Sequence, residues 1–168
     1  MRNNEEQRVR IMGDLVFSVA FAGHRFLPPD RGLEERLYAE VCRLLREREF
    51  VEFFMGCDGN FDEMAAQAVR RARRNIRSDN SALCLVLPYP RANMDLLAQS
   101  FTEVLIAEGE RRVHPKAAIG RRNRWMIDRA DLLIACVSRP AGGAAAMVRR
   151  ARARGIPVRN LALPAAEE

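Results

Sequence analysis

Short apolar segments alternate with amphipathic helical patterns along most of this chain. The first, LVFSVAFAG, occupies residues 15–23, and FVEFFMG, SALCLVL and DLLIACV have the same character. Apolar runs of this length, rich in Val, Leu and Phe, are typical of strands buried on both faces. Strand–helix units joined by short connections favour a parallel sheet covered by helices on both faces. The sequence therefore predicts an α/β fold with a mainly parallel sheet.

The helices are predicted from apolar residues at helical spacing. After Asp30, the residues Leu33, Leu37 and Val41 fall on one stripe. The segments NFDEMAAQAVRRARRNIR, IGRRNRWMIDRA and GGAAAMVRRARARG predict three further helices, and Trp125 in the second is predicted to be largely buried. FTEVLIAE alternates like a half-buried strand, although a helix stays open for it, and IPVRNLAL predicts a last short strand.

Size and composition indicate one globular domain. The chain has 168 residues, of which 48% are hydrophobic and 30% charged. We assign the domain to residues 15–163 and expect flexible ends at 1–14 and 164–168. No stretch approaches the ~20 apolar residues that span a bilayer, and the first residues lack an apolar signal core. These features predict a cytoplasmic protein without membrane contact.

Charge, cysteine and histidine content restrict the functional classes. The net charge of +6 permits nucleic-acid binding without demonstrating it, because arginine-rich segments such as VRRARRNIR are more simply solvated helix faces. The four cysteines form no CxxC pair, so buried free thiols are expected. His24 and His114 lie far apart in sequence without paired ligand spacing, so no metal site is predicted.

Turn-forming residues follow four of the predicted strands. They are Gly23-His24-Arg25, Gly56-Cys57-Asp58-Gly59-Asn60, Pro88-Tyr89-Pro90 and Pro140-Ala141-Gly142-Gly143. In an open parallel sheet, ligands bind beyond the carboxyl ends of the strands, where these loops would gather. The sequence therefore predicts a ligand site at that edge.

Glycines at a strand-to-helix turn expose backbone N–H groups, and the helix dipole adds partial positive charge. Gly142, Gly143 and Ala144 therefore form a candidate phosphate site, because no acid follows in the first helical turn. After the second strand, Asp62 and Glu63 would repel a phosphate but suit the hydroxyls of a ribose. Helix capping by Asp62 or Asn60 is the alternative.

The loop after the first strand offers one cation and one imidazole. Arg25 could clamp a phosphate. His24 is either an acid–base group or, as we favour, a polar loop residue bonded to the backbone. The chain contains no GxGxxG, GxxxxGK[ST] or GxSxG motif, which argues against dinucleotide, P-loop and α/β-hydrolase functions of the usual kind.

Five segments, in order, resemble the YpsA-like proteins (the DUF1273 group) of the SLOG superfamily, which also contains the DprA and LOG proteins. They are AFAGHR, GCDGNFDEMAA, LVLPYP, RNRWMIDRADLLIACV and GGAAAMVRRARARGIPVRNL. The resemblance extends from Val16 to about Leu161. It implies a Rossmann-like domain and a nucleotide or nucleotide-derived, ADP-ribose-like ligand, with no other cofactor.

The resemblance also implies a set of ligand-binding residues. These are Gly23, His24, Arg25, Gly56, Gly59, Phe61, Asp62, Gly142 and Gly143, with Asn123 and Asp128 either orienting the ligand or tying their helix to the sheet. Asn60 and Ala144, from the loops described above, complete the candidate ligand-binding residues. Two positions depart from the family pattern. Cys57 stands where the family often has a second glycine, and Ala144 supplies no hydroxyl to a phosphate.

Three functions compete at this stage. The favoured one is a nucleotide-binding or sensing module without turnover. The second is N-glycosidic cleavage of a nucleotide with Asp62 or Glu63 as the catalytic carboxylate. PAGGAAAMVRR lacks the acid of the LOG motif PGGxGTxxE, which argues against this chemistry. The third, DprA-like binding of single-stranded DNA, rests on charge and is not favoured. The sequence leaves open whether the protein forms a homo-oligomer.

Overall fold

The computed structural model describes residues 15–107 and 113–163. Its strands are β1 (Val16–Gly23), β2 (Phe50–Met55), β3 (Ser81–Leu87), β4 (Glu103–Ile106), β5 (Leu132–Cys136) and β6 (Val158–Asn160). Its helices are α1 (Leu33–Glu47), α2 (Asn60–Asn75), α3 (Met94–Ser100), α4 (Pro115–Arg129) and α5 (Gly143–Ala153). The ends expected to be flexible, 1–14 and 164–168, lie outside the described residues.

The strands form one sheet in the order β4-β3-β2-β1-β5-β6, and its strand pairs are parallel. Val19 of β1 pairs with Phe53 of β2 on one side and with Leu132 of β5 on the other. The strand order therefore reverses at β1, and loops that leave β1 and β5 in opposite directions open a crevice there. The predicted α/β class with a mainly parallel, Rossmann-like sheet is confirmed.

Alternating side chains of the strands form a core on each face of the sheet. Phe21 and Phe53 point toward α1 and α2, with ring centroids 6.0 Å apart. Ala20, Phe54 and Leu133 belong to the opposite core, beneath α4 and α5. Helices on both faces explain why the strands are apolar throughout rather than alternating with polar residues.

The segment between β3 and α4 was the least predictable. The strand expected within FTEVLIAE is present as β4, at the edge of the sheet. The preceding helix α3 was not predicted, because its seven residues are too few for a repeating apolar stripe and none of them is buried. Trp125 was expected to be largely buried but is only half-buried. Its ring meets Phe54 edge-on at 5.5 Å, and the Arg129 guanidinium covers it at 4.0 Å.

Two properties concern the environment of the chain. Three of the four free cysteines, Cys42, Cys84 and Cys136, are buried, and Cys57 is half-buried. Among the helices of the described residues, none has the length and apolar character that crossing a membrane requires.

Candidate functional site

The carboxyl ends of β1, β2 and β5 open into a cleft of about 500 Å³. Its walls are the loops that follow these three strands, together with one face of α4. The structure brings together three of the four loops that sequence analysis singled out, at Gly23–Arg25, Gly56–Asp62 and Gly142–Ala144, whereas the loop Pro88-Tyr89-Pro90 does not line the cleft. The cleft lies at the β1–β5 crevice, which is the usual ligand position in such sheets.

The amino terminus of α5 forms one wall of the cleft. Its N-cap is Gly142, whose φ of 97° and ψ of 176° define a conformation open essentially to glycine alone. The first helical bond runs from the N–H of Ala146 to the carbonyl of Gly142, so the N–H groups of the preceding turn have no intrahelical acceptor. No acid occupies that turn. This wall therefore offers N–H donors and the positive end of a helix dipole.

His24 is hydrogen-bonded to the backbone of the β5–α5 loop. The residue is 6% exposed, and its Nε2 accepts hydrogen bonds from the N–H groups of Ser138 and Arg139, both at 3.2 Å. An Nε2 that accepts two bonds carries no proton. Burial and the nearby charge of Arg139 lower the pKa of His24, which also favours the neutral ring. His24 is thus the backbone-bonded loop residue favoured from sequence, and its Nε2 is not free to act on a substrate.

Arg122 is a buried cation in the wall of the cleft, and sequence analysis missed it. Its Nη1 donates to the carbonyl of Val86 at 3.1 Å and its Nε to Oδ1 of Asn123 at 2.9 Å. Room for this guanidinium exists because Gly56 has no side chain. A Cβ there would lie 2.6 Å from Nη1 of Arg122 and 2.9 Å from Oδ2 of Asp62. Nothing in the run GRRNRW indicates which of its arginines turns inward.

Asp58 joins the loops on this side of the cleft. Its carboxylate accepts from Arg91 at 3.0 Å and from Arg122 at 3.4 Å, and its carbonyl accepts from Nε of Arg25 at 3.0 Å. Three arginines from three different segments therefore converge on one residue. Because charge-assisted bonds are the stronger ones, Asp58 fixes the positions of these cations before any ligand arrives.

Asp62 is a half-buried carboxylate in the same cleft. Its Oδ2 accepts from the N–H of Asp58 at 3.1 Å, reaching back beyond the helix N-cap Gly59 in the manner of a capping box. Burial raises the pKa of Asp62, although this hydrogen bond and the charge of Arg122 act in the opposite direction. Its Oδ1 has no hydrogen-bond donor in the described part of the chain. One oxygen thus anchors the loop, and the other could accept from a ligand.

Four predicted residues do not join the cleft. Asn60 and Glu63 are exposed and border a groove on the far side of the β2–α2 loop. Phe61 was expected among the ligand-binding residues, but it is 1% exposed in the core and packs beneath Gly23. Asp128 was expected either to orient the ligand or to tie its helix to the sheet. It is exposed and ion-paired with Arg150 at 2.7 Å, so it ties α4 to α5 rather than to a ligand.

Cations outnumber acids around the cleft. Its lining includes Arg25, Lys116, Arg122 and Arg139 against the two carboxylates Asp58 and Asp62. Asp58 is already paired with two arginines, so the electrostatic potential in the cleft is positive. No cluster of three His, Cys, Asp or Glu side chains suited to a metal ion occurs within residues 15–107 and 113–163. The lining is therefore suited to a ligand that has both an anionic group and hydroxyl groups.

Comparisons with known proteins bear on the fold. No family model and no curated protein matches the sequence. The structure is similar to DNA processing protein A from Helicobacter pylori, with a TM-score of 0.65 and 17% identity, over 94% of this chain and 71% of that one. It is also similar to DNA processing protein A (DprA) from Streptococcus pneumoniae, with a TM-score of 0.62 and 19% identity, over 85% of this chain and 49% of that one.

The two similarities show a shared Rossmann-like fold. The Helicobacter pylori structure is described as revealing a single-stranded DNA binding mode. The present chain spans only about half of the Streptococcus pneumoniae chain.

Proposed function

We propose that the cleft binds a nucleotide or nucleotide-derived ligand of the ADP-ribose type, and that the protein is a binding or sensing module of the YpsA-like group. One observation carries this proposal: the acid-free, glycine-capped amino terminus of α5 and the buried cation Arg122 line the same cleft. A volume of about 500 Å³ falls within the range of small-ligand pockets.

The lining suggests how such a ligand would lie. A phosphate would accept from the N–H groups of Gly143 and Ala144 at the start of α5. The amide of Asn123, whose Nδ2 would lie 3.4 Å from a Cβ on Gly143, could donate to the same phosphate. A ribose hydroxyl would then donate to the unoccupied Oδ1 of Asp62. Phosphate and sugar are thus recognised by different walls of the cleft.

Titration calorimetry with AMP, ADP-ribose, adenosine and inorganic phosphate tests the proposal. We expect both nucleotides to bind, and adenosine and phosphate to bind much more weakly, because each satisfies only one wall. Equal affinity for adenosine and AMP would rule out the phosphate site. Absence of binding by all four compounds would overturn the proposal.

N-glycosidic cleavage is a second candidate, supported by the position of Asp62. A half-buried carboxylate with a raised pKa in a cleft is a common feature of catalytic acids and nucleophiles. Attack of this carboxylate on C1′ would form a covalent ester as the bond from C1′ to the base breaks and the base takes a proton from water. A second water would then hydrolyse the ester, which frees the carboxylate. Chromatography of AMP incubations would detect free adenine. Asp62→Asn should stop the release of adenine while AMP still binds. If the parent chain releases no adenine, cleavage is ruled out and only the binding function remains.

Single-stranded DNA is an alternative ligand for the same cleft. The DNA-binding neighbour from Helicobacter pylori suggests it, and a strand presents the same phosphate and sugar groups to the four cations of the lining. Competition separates the two cases, because an oligonucleotide bound in the cleft displaces AMP.

A further inference from the structure

A stripe of arginines runs along α2, away from the cleft. Arg70, Arg73 and Arg74 are three and four residues apart and therefore share one face of the helix. We call these three residues the α2 arginine stripe. It borders the segment before β4, since Arg70 donates to the carbonyl of Ser100 at 2.7 Å and Arg73 to Oγ1 of Thr102 at 3.3 Å. Sequence analysis had assigned these arginines to solvated surface.

The charge of the stripe is not compensated. Within the described ranges, Arg70 and Arg73 bond only to neutral oxygens, and Arg74 forms neither a hydrogen bond nor an ion pair. The contrast is Arg71, which faces α1 and pairs with Glu35 at 2.8 Å. A face that leaves three adjacent guanidinium groups without a carboxylate is complementary to a polyanion.

An aromatic ring accompanies these charges. The guanidinium of Arg70 lies 5.1 Å from the ring centroid of Phe101, which is half-buried. Both residues line a groove of about 460 Å³. A second groove of about 270 Å³ is lined by the whole stripe and Ser78, so Arg70 is common to both. Arginines that track a backbone beside an aromatic face are the usual components of single-strand binding surfaces.

We propose that the α2 arginine stripe and Phe101 form a binding surface for single-stranded nucleic acid, separate from the cleft. Phosphates contact Arg70 and Arg74, and an unpaired base stacks on Phe101. The Phe101 groove adjoins the cleft, since Gly56, Gly59 and Asp62 line both. Asp62 and Glu63 in the groove lining repel phosphates, so the strand runs along the stripe rather than toward the cleft. The proposal does not depend on a nucleotide being bound in the cleft.

Fluorescence anisotropy with a labelled oligodeoxythymidine tests this surface over a range of salt concentrations. In Arg70→Gln/Arg74→Gln we expect roughly tenfold weaker binding at low salt, and a salt slope reduced by about 0.7 for each lost phosphate contact. The matched control is Arg124→Gln/Arg152→Gln, which removes the same charge from exposed positions on the opposite face of the sheet. The single variant Arg74→Gln should also weaken binding, and misfolding cannot account for its loss, because Arg74 has no hydrogen bond or ion pair to lose within the described residues.

Phe101→Leu separates nucleic acid from other polyanions. It keeps an apolar side chain but removes the stacking face, so oligodeoxythymidine binding should fall while heparin binding stays unchanged. Equal losses in the stripe variants and in the control pair would overturn the proposal, as would heparin and oligonucleotide binding that respond alike to Phe101→Leu. AMP calorimetry on the same variants should match the parent chain, so a failure here is distinct from a failure of the cleft proposal.

Discussion

Gly23 lies directly against the side chain of Phe61. A Cβ built on Gly23 would be 2.3 Å from Cγ and 2.4 Å from Cβ of Phe61. The ring is 1% exposed and also packs edge-on against Phe21, with centroids 6.5 Å apart, so it has no space to move into. The carboxyl end of β1 and the first turn of α2 are therefore held together by core packing, beside the cleft.

Gly23→Ala should destabilise the fold, because the added methyl overlaps a side chain that cannot rotate away. Overpacking of this kind costs about 1–3 kcal/mol in the free energy of unfolding, measured by urea denaturation. The control is Gly120→Ala within α4, where a Cβ meets only Arg124 at 3.9 Å. There the free energy of unfolding should rise by about 0.5–1 kcal/mol. Equal stability of Gly23→Ala and the parent would show that Phe61 can move.

The free energy of unfolding should fall on acidification because of His24. Burial and Arg139 lower the pKa of this imidazole, so the unfolded chain takes up a proton more readily than the folded one. Stability from neutral His24 is therefore complete above about pH 6.5 and declines as the pH falls from there toward the folded pKa. Below that pKa it declines no further.

Urea titrations of the parent and His24→Gln, compared across this range, isolate the effect, because the other titrating groups cancel in the difference. The Gln amide oxygen can still accept from Ser138 and Arg139 but takes up no proton. We expect the stability advantage of the parent to shrink below about pH 6.5. A constant difference would mean that His24 has the same pKa in both states.

Asp128→Asn tests whether this residue is structural. Its carboxylate accepts two bonds from Nη2 of Arg150, at 2.7 Å and 2.9 Å, and lies 3.5 Å from Arg154. Because the pair is exposed, its loss should cost no more than about 1 kcal/mol at low salt, and less at high salt. Nucleotide affinity should be unchanged in calorimetry. A large loss of affinity would return Asp128 to the ligand site.

Sequence patterns predicted the fold well because they are set by burial. Strands that are covered on both faces must be apolar throughout, and helices between them carry a single apolar stripe. Both patterns are readable without coordinates, as in β1 and α2. The short helix α3 was not predicted because its seven residues are too few for a repeating apolar stripe and none of them is buried.

The site was predictable only in outline. The glycine loops follow from strand ends, but the inward turn of Arg122 depends on space at Gly56, which adjoins it only in the folded chain. Phe61 was misassigned for the same reason, and the sequence could not decide between the two roles left open for Asp128. A sequence places a residue on a loop or helix, whereas its contacts decide whether it faces core, neighbour or ligand.

Gly143→Asp should abolish AMP binding, measured by calorimetry. The new carboxylate would lie among the first N–H groups of α5, where the phosphate is proposed to bind, and would both occupy the site and repel the anion. The variant should still fold, because an acid in the first turn is favourable to the helix dipole.

Ala146→Asp is the matched control. It adds the same charge at an exposed position of α5 that does not line the cleft. We expect its AMP affinity to stay within about tenfold of the parent, since an exposed charge is partly screened. If Gly143→Asp binds AMP as tightly as Ala146→Asp does, the phosphate does not lie at the start of α5.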